Sequence, residues 1–399
     1  MLNITDLKKE QRLIPILRLG FRPFFLLGGI FAFIAMAAWL LMLNGAISTI
    51  PLNGSIWWHS HEMLFGFVPA IIAGFLLTAV QTWSGVAGVK GNELLYLVLT
   101  WISARVLIIA NLSMPVEIIM LLDLSFLPLT GFLLARPLIK IKQYKNMIFL
   151  PVIALMTIAN FFTYLPQLGF SSDFNNQGMH SMVILSTFLV ALMGARVIPM
   201  FTANGTKTQK VLPIKWLEVS ALFTLFTIFV FIIAGLTEYK IILGAICLVS
   251  STLFFYRNLT WRPLKTLRVP LVWTLHVSMM FLPIGLLLMG LHFVFGIVSF
   301  SAALHSLTVG VIGGMILAMT SRVSLGHTGR PLAVPFVMVL AFIAIACATL
   351  VRSVFVAVLP QFTAQLWLLS GILWCIAFGF FVWVYLPILC KPRADGRPG

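Results

Sequence analysis

Residues 269–321 read VPLVWTLHVSMMFLPIGLLLMGLHFVFGIVSFSAALHSLTVGVIGGMILAMTS, and no Asp, Glu, Lys or Arg occurs among them. The same is true of residues 353–390. A bilayer core requires roughly 20 apolar residues per helix, so each stretch is long enough for one or two membrane spans. The whole chain is 61% hydrophobic and only 9% charged. This composition predicts an all-α integral membrane protein without a soluble domain between its spans.

Hydropathy predicts twelve transmembrane helices. They cover residues 24–44, 59–82, 93–110, 115–135, 147–166, 179–200, 214–235, 240–256, 269–291, 299–320, 332–351 and 362–389. Most of the 26 Lys and Arg residues lie in alternate connecting segments, and basic residues collect in cytoplasmic loops. The charges therefore predict that both termini are cytoplasmic. They also account for the net charge of +16 without a nucleic-acid partner.

The dipeptide His-Ser recurs at the predicted outer ends of spans 2, 6 and 10. It occurs as His59-Ser60, His180-Ser181 and His305-Ser306. Equivalent features on every fourth span predict a single polytopic membrane domain, residues 1–399, built from three pseudo-repeats of four helices. The predicted repeats are residues 1–136, 137–257 and 258–390, and residues 391–399 form a short cytoplasmic tail.

The repeated histidines indicate a bound metal or heme, because polar groups inside a bilayer are costly and usually functional. Neutral imidazole binds heme iron, copper and zinc, so these residues alone do not choose the metal. His276 is predicted in the other half of the bilayer, where it serves a second centre or forms a hydrogen bond near the Pro283 kink. The candidate metal ligands are His59, His61, Met63, His180, His276 and His305.

Three charged residues are further candidates for the site. Glu62 is the only acid on span 2, and it is the candidate catalytic residue, either as a proton carrier or as a group that orients an imidazole. Arg105 and Arg196 are intramembrane cations, and a guanidinium pairs well with carboxylates such as heme propionates. The candidate cofactor-binding residues are therefore Arg105 and Arg196 together with His59, His180 and His305.

Two remaining histidines have weaker assignments. His292 is interpreted as an interfacial residue at a helix end. His327 lies in a glycine-rich turn, LGHTGRP at residues 325–331, which either holds an anion or quinone or is a plain interhelical turn.

Several segments resemble the NnrS family. They are WHSHEMLFGF at 58–67, AGFLLTA at 73–79, RPFFL at 22–26, RVIP at 196–199, HSLTVG at 305–310 and LGHTGR at 325–330. The chain departs from the family at residues 81–85, QTWSG, where a run of the type Pro-Asn-Trp-Thr-Gly is expected. A second, weaker similarity in architecture is to the catalytic subunit of heme–copper oxidases and nitric oxide reductases, whose further histidine pairs on helices 7 and 10 are absent here.

The family resemblance implies a bacterial inner-membrane protein of nitric oxide metabolism and nitrosative-stress defence. It implies heme b and copper as cofactors, with His59, His61, His180 and His305 as candidate ligands. The leading hypothesis is an oxidoreductase similar to nitric oxide reductase, with nitric oxide as substrate and quinol as electron donor. The alternatives are a non-enzymatic sensor or buffer of nitric oxide, heme or copper, and a secondary transporter. The lipid bilayer is a predicted partner. The sequence indicates no obligate protein partner.

Overall fold

The computed structural model describes residues 10–47, 51–112 and 114–397. Within these ranges the chain is helical, without strands, and twelve helices are long and apolar enough to cross a membrane. This confirms the predicted fold class and number of spans. The helices are α1 (Phe21–Leu43), α2 (Ser55–Ser84), α3 (Asn92–Ala110), α4 (Val116–Lys140), α5 (Tyr144–Leu168), α6 (Asp173–Thr206), α7 (Lys215–Ile233), α8 (Lys240–Thr260), α9 (Pro270–Phe295), α10 (Phe300–His327), α11 (Phe336–Val358) and α12 (Pro360–Cys390).

Several helices extend beyond the predicted apolar spans. Hydropathy locates the apolar run, but the backbone stays helical until a residue adopts the left-handed conformation. Lys142 has φ 52° just after α4, and Lys207 has φ 54° just after α6. The three His-Ser pairs lie about one to two turns inside α2, α6 and α10, which begin at Ser55, Asp173 and Phe300.

The chain forms two compact units. Unit 1 comprises Met1–Met179, Arg322–Leu332 and Phe381–Gly399, and unit 2 comprises His180–Ser321 and Ala333–Phe380. Within unit 1, α2 packs against α1 and α4, and α4 packs against α3 and α5. Within unit 2, α9 packs against α8 and α10, and α10 packs against α11. The three predicted repeats remain a prediction, and residues 398–399 of the predicted tail lie outside the described residues.

Three helices contain a π-helical segment. In α2 it runs over Glu62–Phe67, in α10 over Ser306–Gly313, and in α11 over Val351–Phe355. In α2 the π segment begins three residues after the His-Ser histidine, His59, and in α10 it begins directly after His305. π-Helical turns are rare and frequently mark functional sites. They also change which side chains share a face, and a projection based on regular α-helix does not anticipate this.

Side chains of unit 2 satisfy the backbone around Pro283 in α9. Proline has no N–H, so the carbonyl of Met279, four residues earlier, loses its helical partner. Asn258 Nδ2 donates to that carbonyl at 2.7 Å. Ser251 donates its hydroxyl to the carbonyl of Pro283 at 2.7 Å, and Ser306 donates to the carbonyl of Phe281 at 2.9 Å. Neighbouring helices thus supply the hydrogen bonds that a broken helix needs in a membrane.

Candidate functional site

A group of six polar side chains lies buried among four helices of unit 1. None of the six is more than 6% exposed. Polar groups at membrane depth are expensive and commonly functional. We call these residues the polar cluster: His61 and Glu62 on α2, Arg105 on α3, Asp123 on α4, and Asn160 and Tyr164 on α5.

Arg105 joins the two carboxylates of the polar cluster. Its Nη1 donates to Glu62 Oε1 at 3.0 Å, and its Nη2 donates to Asp123 Oδ1. Asn160 Nδ2 donates to Asp123 Oδ2 at 2.7 Å, and the Tyr164 hydroxyl donates to the same oxygen at 3.2 Å. A buried ion pair is tolerated when such additional hydrogen bonds satisfy its remaining atoms. One guanidinium against two carboxylates still leaves an excess negative charge.

Both ring nitrogens of His61 face hydrogen-bond acceptors. Nδ1 lies 3.1 Å from Glu62 Oε1, and Nε2 lies 3.0 Å from Asn160 Oδ1. Nε2 also lies 3.3 Å from Asp123 Oδ2. A neutral imidazole has one N–H, so it donates to one of these acceptors and turns the lone pair of its other nitrogen towards the second. The role of His61 as a metal ligand remains a prediction.

Aromatic rings enclose the His61 imidazole. The indole of Trp57 stacks on it with ring centroids 4.3 Å apart and planes inclined by 14°. The Tyr164 ring meets it edge-on at 5.5 Å. The Trp57 Nε1 donates to the carbonyl of Thr163 at 3.3 Å, which ties α2 to α5. These contacts fix the plane of the imidazole and exclude other groups from its faces.

Glu62 Oε2 is buried and has no hydrogen-bond partner. The other oxygen, Oε1, lies in contact with both Arg105 and His61. A buried acceptor without a partner carries its full desolvation cost. A proton bound at Oε2 would remove the charge from this atom, so Glu62 combines a proton-accepting oxygen with an anchored one.

The π segment of α2 positions Glu62. Glu62 is the first residue of this segment, and its side chain contacts His61 and Arg105. Gly66, in the same segment, leaves room for Arg105: a Cβ there would lie 2.6 Å from Arg105 Nη1. The carbonyl of Gly66 accepts from Trp101 Nε1 at 2.9 Å. Side-chain volume at residue 66 therefore controls the approach of the guanidinium.

His59 lies one turn before Met63 and outside the polar cluster. Both side chains are partly exposed. The His59 imidazole stacks on the indole of Trp39 in α1, with centroids 4.5 Å apart and planes inclined by 13°. Imidazole and thioether one turn apart suit copper, as the sequence indicated.

In unit 2, the rings of His180 and His292 both lie against Phe300. The centroid of the His180 ring is 4.9 Å from that of Phe300, and the centroid of the His292 ring is 5.2 Å from it. Phe300 begins α10, on which His305 lies in the same short α-helical segment. The first residue of α10 thus contacts imidazoles from two other helices, His180 of α6 and His292 of α9.

Backbone carbonyls orient two of these imidazoles. His305 Nδ1 lies 2.7 Å from the carbonyl oxygen of Ser301, and His292 Nδ1 lies 2.8 Å from that of Val298. A carbonyl only accepts, so Nδ1 is the protonated nitrogen in each ring, and Nε2 carries the lone pair. Metal-binding histidines are typically oriented by such a hydrogen bond. His292, which the sequence analysis interpreted as interfacial, is therefore oriented by the same kind of hydrogen bond as His305.

The remaining candidates lie apart from these groups. His276, 3% exposed, has Nε2 2.8 Å from the hydroxyl of Thr202. Arg196 is partly exposed on α6. In unit 1 the His327 ring lies 5.6 Å from that of Phe21, and its carbonyl accepts from Arg393 Nη1 at 2.7 Å. His327 is the last residue of α10, and Arg393 of the tail donates to its carbonyl; its role in holding an anion or quinone remains a prediction.

Sequence reasoning missed half of the polar cluster. Asp123, Asn160 and Tyr164 were not proposed, although Asp123 satisfies the criterion that selected Glu62: an acid within an apolar span. Asn160 and Tyr164 gave no comparable signal. Both side chains donate hydrogen bonds to Asp123. These contacts exist only because α4 packs against α5.

The histidines suit heme better than a preassembled metal centre. Among the described residues, no group of three or more His, Cys, Asp or Glu side chains is arranged to hold a metal ion. Heme iron needs only one or two protein ligands. Imidazoles with Nδ1 anchored and the lone pair on Nε2 meet that need. Arg105 donates to Glu62 and Asp123, so its two terminal nitrogens already have carboxylate partners within the protein.

Comparison with known proteins supports the resemblance seen in the motifs. No curated protein sequence matches the chain. A family model described as NnrS protein matches residues 15–393, nearly the whole length. The match includes every candidate residue of both units. The chain therefore belongs to the NnrS family, and membership supports its assignment as a multi-pass membrane protein of the nitric oxide response.

Proposed function

We propose that this protein binds heme b and copper in a bacterial inner membrane, with both termini cytoplasmic, and that it binds and reduces nitric oxide. The orientation of the imidazoles in unit 2 carries the proposal. Because Nδ1 of His305 donates to a backbone carbonyl, the neutral ring carries its lone pair on Nε2, the tautomer that a metal-binding histidine uses. The family match is the second support.

His59, His180 and His305 are the proposed heme ligands. For copper, His59 and Met63 offer imidazole and thioether one turn apart, and His61 and His276 are further candidates. Arg196 is retained as a proposed partner of a heme carboxylate. Bound heme would supply a metal that binds nitric oxide and transfers electrons to it.

Glu62 is the proposed proton carrier. Reduction of two molecules of nitric oxide to nitrous oxide and water consumes two electrons and two protons, and quinol would supply the electrons. Glu62 Oε2 has no hydrogen-bond partner, so it can take up a proton without losing an existing contact. Oε1 stays bound to Arg105 at 3.0 Å, which keeps the carboxylate in place. His61 Nδ1, 3.1 Å from Oε1, is the adjacent proton-holding group.

The absorption spectrum and metal content of the purified full-length protein test this function. We expect a Soret band in the wild type and its weakening in at least one of the variants His59→Ala, His180→Ala and His305→Ala. His327→Ala is the matched control, because the His327 contact with Arg393 uses the backbone carbonyl. Absence of a Soret band, or a band unchanged in all three variants, would contradict heme binding at these residues.

Turnover separates the proposal from its alternatives. A reductase consumes nitric oxide continuously with a quinol donor. A sensor or buffer shows the same spectrum without steady consumption. A transporter contains neither heme nor metal after purification and remains active in all the histidine variants.

A further inference from the structure

Arg352, Trp367 and Ser301 form a contact group in unit 2. Arg352 lies in the π segment of α11, Trp367 on α12 and Ser301 on α10. The Arg352 guanidinium carbon is 4.8 Å from the centroid of the Trp367 ring. Arg352 Nη2 donates to the hydroxyl of Ser301 at 3.1 Å. The indole and the hydroxyl hold the guanidinium in one orientation.

Two hydrogen-bond donors of this group have no partner. Arg352 Nη1 and Trp367 Nε1 are both buried and form no hydrogen bond. Among the described residues, no carboxylate forms an ion pair with Arg352. Both side chains are partly exposed, but these two donor atoms are not, and a buried donor without an acceptor is costly. The group therefore lacks an anionic acceptor.

The chemistry of the missing acceptor follows from the donors. A planar guanidinium and an indole N–H both donate, and neither accepts. Carboxylate and phosphate oxygens accept from several donors at once, and Arg binds both groups well. The guanidinium carbon lies 4.8 Å from the ring centroid, so the two side chains that carry these donors are in direct contact.

Ser301 connects this group to His305. The Ser301 hydroxyl accepts from Arg352, and the Ser301 carbonyl accepts from His305 Nδ1 at 2.7 Å. A molecule that carries both a metal for His305 Nε2 and a carboxylate for Arg352 would be recognised at both points. A phospholipid headgroup offers the oxyanion but no metal.

We propose that Arg352 and Trp367 bind a propionate carboxylate of the heme. This inference rests on the proposed function, because it assumes that heme binds to unit 2. It assigns to Arg352 the role that the sequence gave to Arg105, whose guanidinium already binds Glu62 and Asp123.

Heme and its dimethyl ester, in which both propionates are neutral, provide the test. The heme-depleted full-length protein, in nanodiscs of phosphatidylcholine, is titrated with each ligand and followed by Soret absorbance. We expect the wild type to bind heme about 10-fold more tightly or better than the diester, the scale of a charge-assisted hydrogen bond. In Arg352→Gln the preference disappears because heme binds more weakly while the affinity for the diester is unchanged.

Two further variants make the titration specific. Trp367→Phe keeps an aromatic ring under Arg352 and removes only the Nε1 donor, so the preference falls by a few-fold in a protein that retains its packing. Arg136→Gln is the matched control, because Arg136 forms an exposed ion pair with Glu93 in unit 1. Its preference for heme equals that of the wild type.

The outcomes distinguish this inference from the proposed function. If neither ligand changes the Soret absorbance, heme binding fails and the inference fails with it. If both ligands bind equally to the wild type, or if the preference survives in both variants, only the inference is overturned. In a second set of nanodiscs that contain phosphatidylglycerol, loss of bound phosphatidylglycerol from Arg352→Gln, with equal binding of the two ligands, would assign the site to a lipid phosphate and also overturn it.

Discussion

Helices α2 and α10 both contain a π-helical segment, but the polar groups around the two segments differ. Each becomes π-helical shortly after a His-Ser histidine, over Glu62–Phe67 in α2 and Ser306–Gly313 in α10. In α2 the first π residue is an acid that contacts an imidazole and a guanidinium. In α10 it is Ser306, whose hydroxyl donates to the carbonyl of Phe281.

The difference lies in what the histidine nitrogens contact. His61 faces acceptors at both nitrogens, an arrangement suited to holding a proton. His305 donates through Nδ1 to a carbonyl and so carries its lone pair on Nε2, an arrangement suited to a metal. His61 and His305 each directly precede a π segment. The groups that contact the imidazole decide whether it is suited to holding a proton or to binding a metal.

Removal of Arg105 should have the largest effect on the α2 side of this comparison. In Arg105→Gln, two buried carboxylates lose their cation, and breaking a buried pair costs about 3–5 kcal/mol. We expect a large fall in the melting temperature of the purified protein, measured by tryptophan fluorescence. The double variant Arg105→Gln, Asp123→Asn should recover part of it. A fall no greater than that of the exposed control Arg136→Gln would show that the polar cluster is not held by charge.

Neutralising Glu62 should separate proton transfer from ligation. In Glu62→Gln the side chain keeps its shape but no longer accepts a proton, so nitric oxide turnover should fall by about 100-fold, the lower range for a general acid–base group. The absorption spectrum should stay unchanged, because the proposed ligands are untouched. Glu93→Gln, in an exposed pair with Arg136, is the control. Unchanged turnover would remove Glu62 from the mechanism.

Glycine-to-alanine changes test the two π segments directly. A Cβ at Gly66 would lie 2.6 Å from Arg105 Nη1, and a Cβ at Gly310 would lie 2.6 Å from the Phe281 side chain. Overpacking of this kind costs about 1–3 kcal/mol. Both variants should melt earlier, but only Gly66→Ala should also reduce turnover, since it displaces a charged group.

Gly131→Ala on α4 is the control for these changes. Its nearest neighbour would lie at 3.5 Å, an ordinary contact, and alanine is the better helix former. Its melting temperature should match or exceed that of the wild type. An equal loss of turnover in Gly66→Ala and Gly310→Ala would contradict the division of roles between α2 and α10.

The smallest effect should come from Asp395, outside both regions. Hydrogen bonds from the Arg393 guanidinium lower the pKa of Asp395 to about 2. Because the pKa is depressed, this contact contributes stability at neutral pH and loses it as the pH falls from about 4 to 2. Asp395→Asn removes the charge at neutral pH, so trypsin should cleave after Arg393 a few-fold faster. Cleavage at the wild-type rate would show that the carboxylate does not hold the tail.

The sequence was informative wherever the signal is local. Twelve spans follow from hydropathy, and Glu62 stood out as a lone acid on an apolar helix. The π segment that begins at Glu62 was not predictable, because nothing in the hydropathy pattern marks it. The pairing of Arg105 with Asp123 was also not predictable, because these residues lie on helices α3 and α4 and nothing in their spacing specifies which side chains meet.

By itself, the sequence determined that this chain crosses the membrane twelve times and which polar residues lie at membrane depth, since the cost of transfer into lipid depends on each segment alone. Only the tertiary structure decided that Asp123, Asn160 and Tyr164 surround His61, and that Arg352 and His305 share Ser301. Hydrogen bonds and ion pairs depend on distances of a few ångströms between different helices, and those distances are set by packing.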